Sequence, residues 1–445
     1  MSVTSVVRLS ELEGTKRLDA EYYQPEYLRI AKKLKSCKPI KNFVGAIIRP
    51  SSIKREYSEN GYLFMLTQNI KENYLDFSEK FYISSQIAKQ IPKNLLQEGD
   101  IVTVGTGNIG LSATIPKLKE YIYASPDIII LRDSKISPFY ISTYLNSKIG
   151  KLFLNRIIYG ISQPHITAEL LGRIPVPVLS KENINKISNM VENALNMLRQ
   201  SEYSYSQAES ILLSELDLQN FKPEDKLCYT VNLSKVNTSH RIDAEYFDPK
   251  YDEVIEKVNK GAKLKALKEF IISVEEGIEV GSEKYQKEGI PFIRVSNLSI
   301  SGLTDKDQKY ISEKDYQFMK NKFEPKEGEI LLTKDATPGV SYFVKEPIRG
   351  IISSGILRLK VKNINPEYLS LCINSIVGKL QIGKDSGGSV ITHWKLKQIK
   401  NILIPILHKE IQQEIAKLVR QSHDARKKAK ELLEKSEKII EYAIG

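Results

Sequence analysis

The chain has 445 residues and a formal net charge of +12, with 41% apolar and 27% charged residues, which suits two to three globular domains with real cores. No apolar run approaches the roughly 18–20 residues that cross a bilayer, and the opening "MSVTSVVRLSELEG" lacks the layout of a signal peptide, so a cytoplasmic protein without a membrane partner is expected. Cys37, Cys228 and Cys372 match no metal or redox spacing and read as buried, inert thiols. The five histidines form no HExxH-like pair, so no metal site is expected.

In chain order, the first feature is "RLDAEYYQPEY" (17–27). Short apolar runs punctuated by Gly and Pro follow, "YLFMLTQNI", "GDIVTVG" and "ASPDIIILR", and these read as strands. "PFYISTYLNSKIGKLFLN" then carries an amphipathic helical pattern. From Lys181 to Leu216 there is no Pro or Gly. Ile187, Met190, Ala194, Met197, Ser201, Ser204, Ala208 and Ile211 recur there in steps of three and four, a heptad seam. "DLQNFKPED" (217–225) is polar and reads as a linker.

At 241–251 the opening returns as "RIDAEYFDPKY". Strand-like "IPFIRVSN", "GEILLTK" and "GIISSGILRLKV" and helical "PEYLSLCINSIVGKLQIG" come next. A second seam from Lys409 to Ala443 comprises Ile411, Ile415, Leu418, Ser422, Ala425, Ala429, Leu432, Ser436, Ile439 and Ala443. "GYLFMLTQNI" (61–70) corresponds to "GIPFIRVSNL" (289–298), and "SPFYISTYLNSKIGKL" (137–152) to "NPEYLSLCINSIVGKL" (365–380). Gly99 falls opposite Gly328 and His165 opposite His393. The offset stays within 224–229 throughout, so the chain is a duplication.

Each copy therefore reads as a compact α+β domain followed by a helix of roughly 50 Å. Such a helix outreaches its own domain, and the other copy supplies the obvious partner. The expected architecture is two similar globular domains separated by two long antiparallel helices, coiled-coil-like, with internal pseudo-two-fold symmetry. The expected boundaries are 1–178 for the first domain, 179–216 for the first helix, 217–225 for the linker, 226–406 for the second domain and 407–445 for the second helix.

"GTGNIG" (105–110) fits a dinucleotide or S-adenosylmethionine fingerprint, but the following "LSATIPKLKEYIY" is strand-like and its counterpart is "KDATPG" (334–339). A tight turn between strands fits both copies. No catalytic constellation stands out. Polar residues between strands suit recognition instead. In copy one they are Gln68, Asn69, Thr106, Asn108, Tyr159, Ser162, Gln163 and His165. In copy two they are Arg294, Ser296, Asn297, Lys334, Asp335, Thr337, Ser386, Ser389, His393 and Lys395. Such side chains read base edges or hold phosphates, and they diverge between copies while the framework is kept.

The order and duplication of these motifs resemble the specificity (S) subunit of type I restriction-modification systems. The carrying stretches are "YGISQPHITAELLGRIPVPVLSKENINKI" (159–187) and "GGSVITHWKLKQIKNILIPILHKEIQQEI" (387–415), with "GIPFIRVSNL" (289–298). The double Pro followed by Glu-Gln that is usual in the family is absent from both. The resemblance implies a non-catalytic subunit with two target-recognition domains that binds double-stranded DNA at two half-sites. It implies a helix pair that sets the spacer, bounded by about 15 base pairs at 3.4 Å each. It implies two methyltransferase (M) subunits and restriction/translocase (R) subunits as partners, with S-adenosylmethionine in the M subunits and no cofactor in this chain. Two other readings stay open, a single-chain DNA methyltransferase or nuclease using "GTGNIG" and a coiled-coil adaptor without a DNA role.

Overall fold

The computed structural model describes residues 4–8, 18–54, 56–158, 164–223, 226, 228–305, 307–386 and 393–444. The chain forms two compact units, of which the first is built from two separate segments and the second from one. Unit 1 comprises Met1–Leu198 with Lys427–Gly445, and unit 2 comprises Arg199–Arg426.

Unit 1 contains, in chain order, β1 (Ala46–Ile48), β2 (Tyr62–Met65), β3 (Tyr82–Ile83), β4 (Ile101–Val104), β5 (Ser112–Thr114), β6 (Ile122–Ala124) and β7 (Ile128–Arg132). They make a four-stranded antiparallel sheet, β1-β7-β4-β5, and a three-stranded sheet, β3-β2-β6, with β2 and β6 parallel. Unit 2 begins its strands with β8 (Lys263–Ala266), β9 (Ile271–Glu276), β10 (Ile290–Ile293), β11 (Leu298–Ser299) and β12 (Gly302–Leu303). It continues with β13 (Lys309–Ile311), β14 (Ile330–Thr333), β15 (Ser341–Phe343), β16 (Ile351–Ile352), β17 (Ile356–Val361) and β18 (Leu403–Ile406). Its sheets β15-β14-β17-β9 and β13-β10-β16 repeat the order and sense of unit 1.

The duplication extends to buried polar contacts. Arg132 donates to Asp100 (2.6 and 2.9 Å), and Arg358 donates to Glu329 (2.7 and 2.8 Å) at the same place in unit 2. The Asn146 amide bonds the Ser112 backbone, as the Asn374 amide bonds that of Ser341. Tyr140 Oη donates to the Pro177 carbonyl, and Tyr368 Oη to that of Pro405. Gly61 and Gly289 share φ near +142° and +141° and open β2 and β10. A Cβ there would fall 2.2 Å from the Ile83 carbonyl oxygen and 2.4 Å from that of Ile311, so only glycine fits.

The helical stretch after β7 is two helices, not one. Pro138–Asn146 stops at Ser147, whose hydroxyl caps Lys148–Arg156 by accepting from Gly150 N. Pro366–Asn374 and Ile376–Ser386 repeat the break. The reason lies in Gly150 and Gly378, where a Cβ would sit 2.0 Å from the Tyr144 carbonyl oxygen and 2.1 Å from that of Ile373. The second helix of each pair crosses the end of the first at backbone distance.

The two long helices span Lys181–Glu215 and Lys409–Ile444. In unit 1, Val191, Ala194 and Leu198 share a core with Ala429 and Leu433, while Ile187 packs with Ile440 and Ile444. In unit 2, Ala208, Leu212 and Leu216 share a core with Ile415 and Val419, and the Ser201 and Ser422 hydroxyls meet at 3.0 Å. Early residues of one helix meet late residues of the other, the antiparallel sense. The buried line differs from the strict heptad. Val191, Leu198 and Leu212 are buried where Met190, Met197 and Ile211 were expected, and Val419, Leu433, Ile440 and Ile444 replace Leu418, Leu432, Ile439 and the exposed Ala443. A helix face that packs on its own globular domain as well as on a partner helix is wider than a two-position seam, so the next residue round the helix is buried.

The segment after the first long helix is anchored, since Leu218 lies in the core of unit 2. Of the three thiols only Cys372 is buried, and burial pushes it up to about 12, whereas Cys37 is half-buried and Cys228 exposed. That corrects the expectation of three buried cysteines. Among the described residues no helix is long and apolar enough to cross a membrane, and no cluster of three acidic, His or Cys side chains is placed to hold a metal ion.

Two measurements check this fold. Glu329→Ala leaves Arg358 buried without its carboxylate and is expected to lower unfolding free energy by about 3–5 kcal/mol, with part recovered in Glu329→Ala/Arg358→Met, as read by urea denaturation. Glu437 has its carboxyl pushed up to about 8, by burial first and Glu72 second, with Lys151 opposing. The folded state therefore holds this proton over a range where the unfolded chain, at 4.5, has released it. Stability from this group is full below about pH 4.5 and is lost as pH rises to about 8, and Glu437→Gln is expected to flatten that slope.

Candidate nucleic-acid interface

Several of the polar residues singled out above lie on the turns that follow β2, β4, β10 and β14. The turn between β4 and β5 is "GTGNIG", and the one between β14 and β15 is "KDATPG". They share one backbone. Gly107 and Ala336 take left-handed conformations (φ 90° and 58°), as do Gly110 and Gly339 (96° and 92°). Gly110 N bonds Val104 O at 3.2 Å, and Gly339 N bonds Thr333 O at 2.9 Å. Each turn is tied to an incoming segment from afar. Thr106 forms a β-bridge with His165 and Asp335 one with His393, while Ile166 N donates to Gly105 O and Trp394 N to Lys334 O. A strand follows each turn, so "GTGNIG" lacks the helix N-terminus that would cradle a pyrophosphate.

Similar backbones carry different chemistry. In unit 1 Thr106 is half-buried and Asn108 exposed, with glycine on either side. In unit 2 the turn holds a charged network. Lys334 Nζ lies 3.0 Å from Asp335 and 3.2 Å from Glu276, and Asp335 Oδ1 lies 2.7 Å from His393 Nδ1. Burial alone would lower the Lys334 ammonium, but its bonds to Asp335 and Glu276 outweigh this and hold it above its ordinary value. A shallow cavity of about 270 Å³ opens beside this network, with Val274, Leu357 and Leu396 as its apolar wall. Lys395 is an exposed residue of the cavity lining, and Thr337 is exposed on the turn. Glu276, on β9, was missed from sequence because "SVEEG" reads as ordinary strand polarity. Only the sheet order β14-β17-β9 brings it to Lys334.

The second pair of turns follows β2 and β10. Asn69 and Asn297 are 2% and 1% exposed, and their amides are spent on the backbone. Asn69 accepts from Leu66 N (2.9 Å) and donates to Asp76 O (2.9 Å), while Asn297 accepts from Arg294 N (3.1 Å) and donates to Thr304 O (3.2 Å). These two asparagines hold the turn and do not face outward. Their exposed neighbours Gln68 and Ser296 do, with Gln68 donating to Glu79 at 2.9 Å. Arg294 is half-buried and pairs with Asp307 at 3.0 Å. Lys309 first and Arg294 second hold Asp307 below the usual carboxylate range. His165 is half-buried and His393 exposed. Tyr159, Ser162, Gln163 and Ser389 lie outside the described residues, and Ser386 ends a helix.

The repeated opening motif lies on the framework. Arg241 bonds Asp243 (2.5 and 2.8 Å) and stacks over Tyr246 at 4.4 Å, and in unit 1 Arg156 stacks over Tyr22 at 4.1 Å. Both contacts stay within their own unit.

Residues 259–435 match the family of type I restriction modification DNA specificity domains, and residues 62–176 match the TaqI-like C-terminal specificity domain. Each half of the chain is thus similar to a specificity domain, the second half to that of type I restriction-modification systems. No match is found among curated proteins. Among solved structures, the S subunit of a type I restriction-modification system from M. genitalium covers 92% of this chain and 94% of its own at 14% identity, with a TM-score of 0.42. The HsdS subunit from Thermoanaerobacter tengcongensis covers 91% and 95% at 15% identity, with a TM-score of 0.27. A chain from a structure of type I R-M complex assembly and conformational transition covers 91% and 96% at 14% identity, with a TM-score of 0.29.

Asn69→Ala and Asn297→Ala are each expected to cost about 1–3 kcal/mol in urea unfolding, because the buried backbone groups they serve lose their partners. Gln68→Ala and Ser296→Ala are expected to leave stability within about 0.5 kcal/mol.

Proposed function

We propose that this chain is the non-catalytic, DNA-reading subunit of a type I restriction-modification complex, working in the cytoplasm on an asymmetric duplex target. Each unit reads one half-site. The observation that carries this reading is the pair of turn frameworks with matching strand order and backbone bonds and unlike side chains. One fold kept twice with different tips suits two different sequences read by one chain. The net charge of +12 supports a polyanionic partner.

In this reading Gln68, Thr106, Asn108 and His165, with Tyr159, Ser162 and Gln163, serve the first half-site. Arg294, Ser296, Lys334, Thr337, His393 and Lys395, with Ser389, serve the second. Asn69 and Asn297 act by holding their turns. Two methyltransferase (M) subunits assemble on the chain and bring S-adenosylmethionine to adenine N6, and restriction/translocase (R) subunits join them. The target base is flipped into the partner, so this chain needs no cofactor.

Modified-base sequencing of host DNA with and without the gene tests the reading, the expected result being loss of N6-methyladenine at one bipartite motif. No lost motif would sink it. Arg294→Ala is expected to relax the second half-site alone, by about 1–3 kcal/mol at one position. Equal weakening of both half-sites would overturn the assignment of one unit to one half-site.

A further inference from the structure

We propose that Asp335 is a positioning residue that fixes His393 in its Nδ1–H form, so that the exposed Nε2 offers a hydrogen-bond acceptor to an exocyclic amine in the second half-site, adenine N6 or cytosine N4. The amine target rests on the DNA-reading function proposed above, whereas the state of the ring does not.

The geometry dictates the ring. Asp335 Oδ1 lies 2.7 Å from His393 Nδ1, and an ionised carboxylate has no proton to give. In a neutral imidazole the shared proton therefore sits on Nδ1, and the lone pair falls to Nε2. The carboxylate cannot turn away. Its other oxygen holds Lys334 Nζ at 3.0 Å, and Lys334 is itself held by Glu276 at 3.2 Å. The Asp335 side chain is 20% exposed while that of His393 is 64% exposed, so the anchor is sheltered and the ring faces solvent. The β-bridge between the two residues fixes their backbones as well.

The first unit provides an internal contrast. His165 sits across the same bridge from Thr106, whose hydroxyl can donate or accept and so dictates no tautomer. The change from hydroxyl to carboxylate alters what the imidazole can recognise without moving the backbone. Lys334 and Glu276 face Asp335, and Lys395, two residues beyond His393, lines the same cavity, so the ring's neighbours carry both signs. An acceptor set among them selects an amine rather than a phosphate. Bases pair with such acceptors through adenine N6 or cytosine N4 in the major groove.

Long-range ¹⁵N–¹H spectroscopy of the full chain at pH 8 reads the tautomer directly. The expected result is a protonated Nδ1 and a bare Nε2 on His393, shifting toward Nε2–H in Asp335→Ala. A wild-type ring protonated on Nε2 would overturn the proposal whatever the chain does with DNA. Motif mapping by modified-base sequencing gives the second arm. Asp335→Ala and His393→Ala are expected to loosen one base position of the second half-site by about tenfold, with the first half-site unchanged. His393→Gln, which keeps an acceptor near the Nε2 position, is expected to restore it. If the ring is Nδ1–H yet all three folded variants keep the wild-type motif, the amine contact is wrong. If the wild-type chain directs no modification, the functional reading fails together with the amine target, and the spectrum alone decides the role of Asp335.

Discussion

The core of unit 1 is closed by residues from the far end of the sequence, and that of unit 2 by residues of the first long helix. Ile440 and Ile444 lie with Tyr140, Tyr144 and Ile187 in the core of unit 1, and Ala208, Leu212 and Leu216 lie with Tyr368 and Trp394 in that of unit 2. Each packing requires a long helix from one copy to lie against the helix of the other, running in the opposite sense. The small residues make this possible. Ala194, Ala429, Ser201, Ser422 and Ser436 are all buried, and larger side chains there would push the helix axes apart. The polar members are not wasted, because Ser201 and Ser422 satisfy each other. Burying each aliphatic side chain in these cores contributes roughly 1.5–3 kcal/mol, which offsets the order imposed on helices of 35 and 36 residues.

A rigid frame of this kind frees its turns to vary. The contacts kept in both copies are buried or tied to the backbone: Arg132–Asp100 and Arg358–Glu329, Asn146 and Asn374, Tyr140 and Tyr368, Asn69 and Asn297. Side chains that differ stand on turns whose backbone these contacts have already determined. Thr106 and Asp335 can therefore exchange chemistry without exchanging position. That separation of frame from variable turn is what the proposed reading of two half-sites by one chain requires.

The same distinction explains the repeated "RLDAEYYQPEY" and "RIDAEYFDPKY". A run of Arg, Asp and Tyr invites a catalytic reading. Arg241 instead spends itself on Asp243, on the Asp385 carbonyl and on the face of Tyr246, and Tyr22 lies beneath Arg156. These are charge-assisted and cation–π contacts inside one unit, and the matching tyrosines carry a guanidinium in both copies, from Arg241 within the motif in one and from Arg156 outside it in the other.

The duplication, the strands, the two long helices and the turn nature of "GTGNIG" were all legible in the sequence. Each depends on local periodicity, on Gly and Pro, or on comparing one copy with the other. The two-helix break at Ser147 and Ser375 could have been read from Gly150 and Gly378, though nothing local says that a carbonyl passes close to them. Tertiary structure alone decided which face of each long helix is buried, because the globular domain widens the seam and brings in Val191, Leu198, Val419 and Leu433. It alone showed that Asn69 and Asn297 look inward, since an asparagine on a turn is equally at home bonding the backbone or facing solvent. And it alone joined Glu276 to Lys334 and Asp335 to His393. Residues 58 or more positions apart meet there through strand order and a β-bridge, and hydrogen bonds of that range leave no trace in a local pattern.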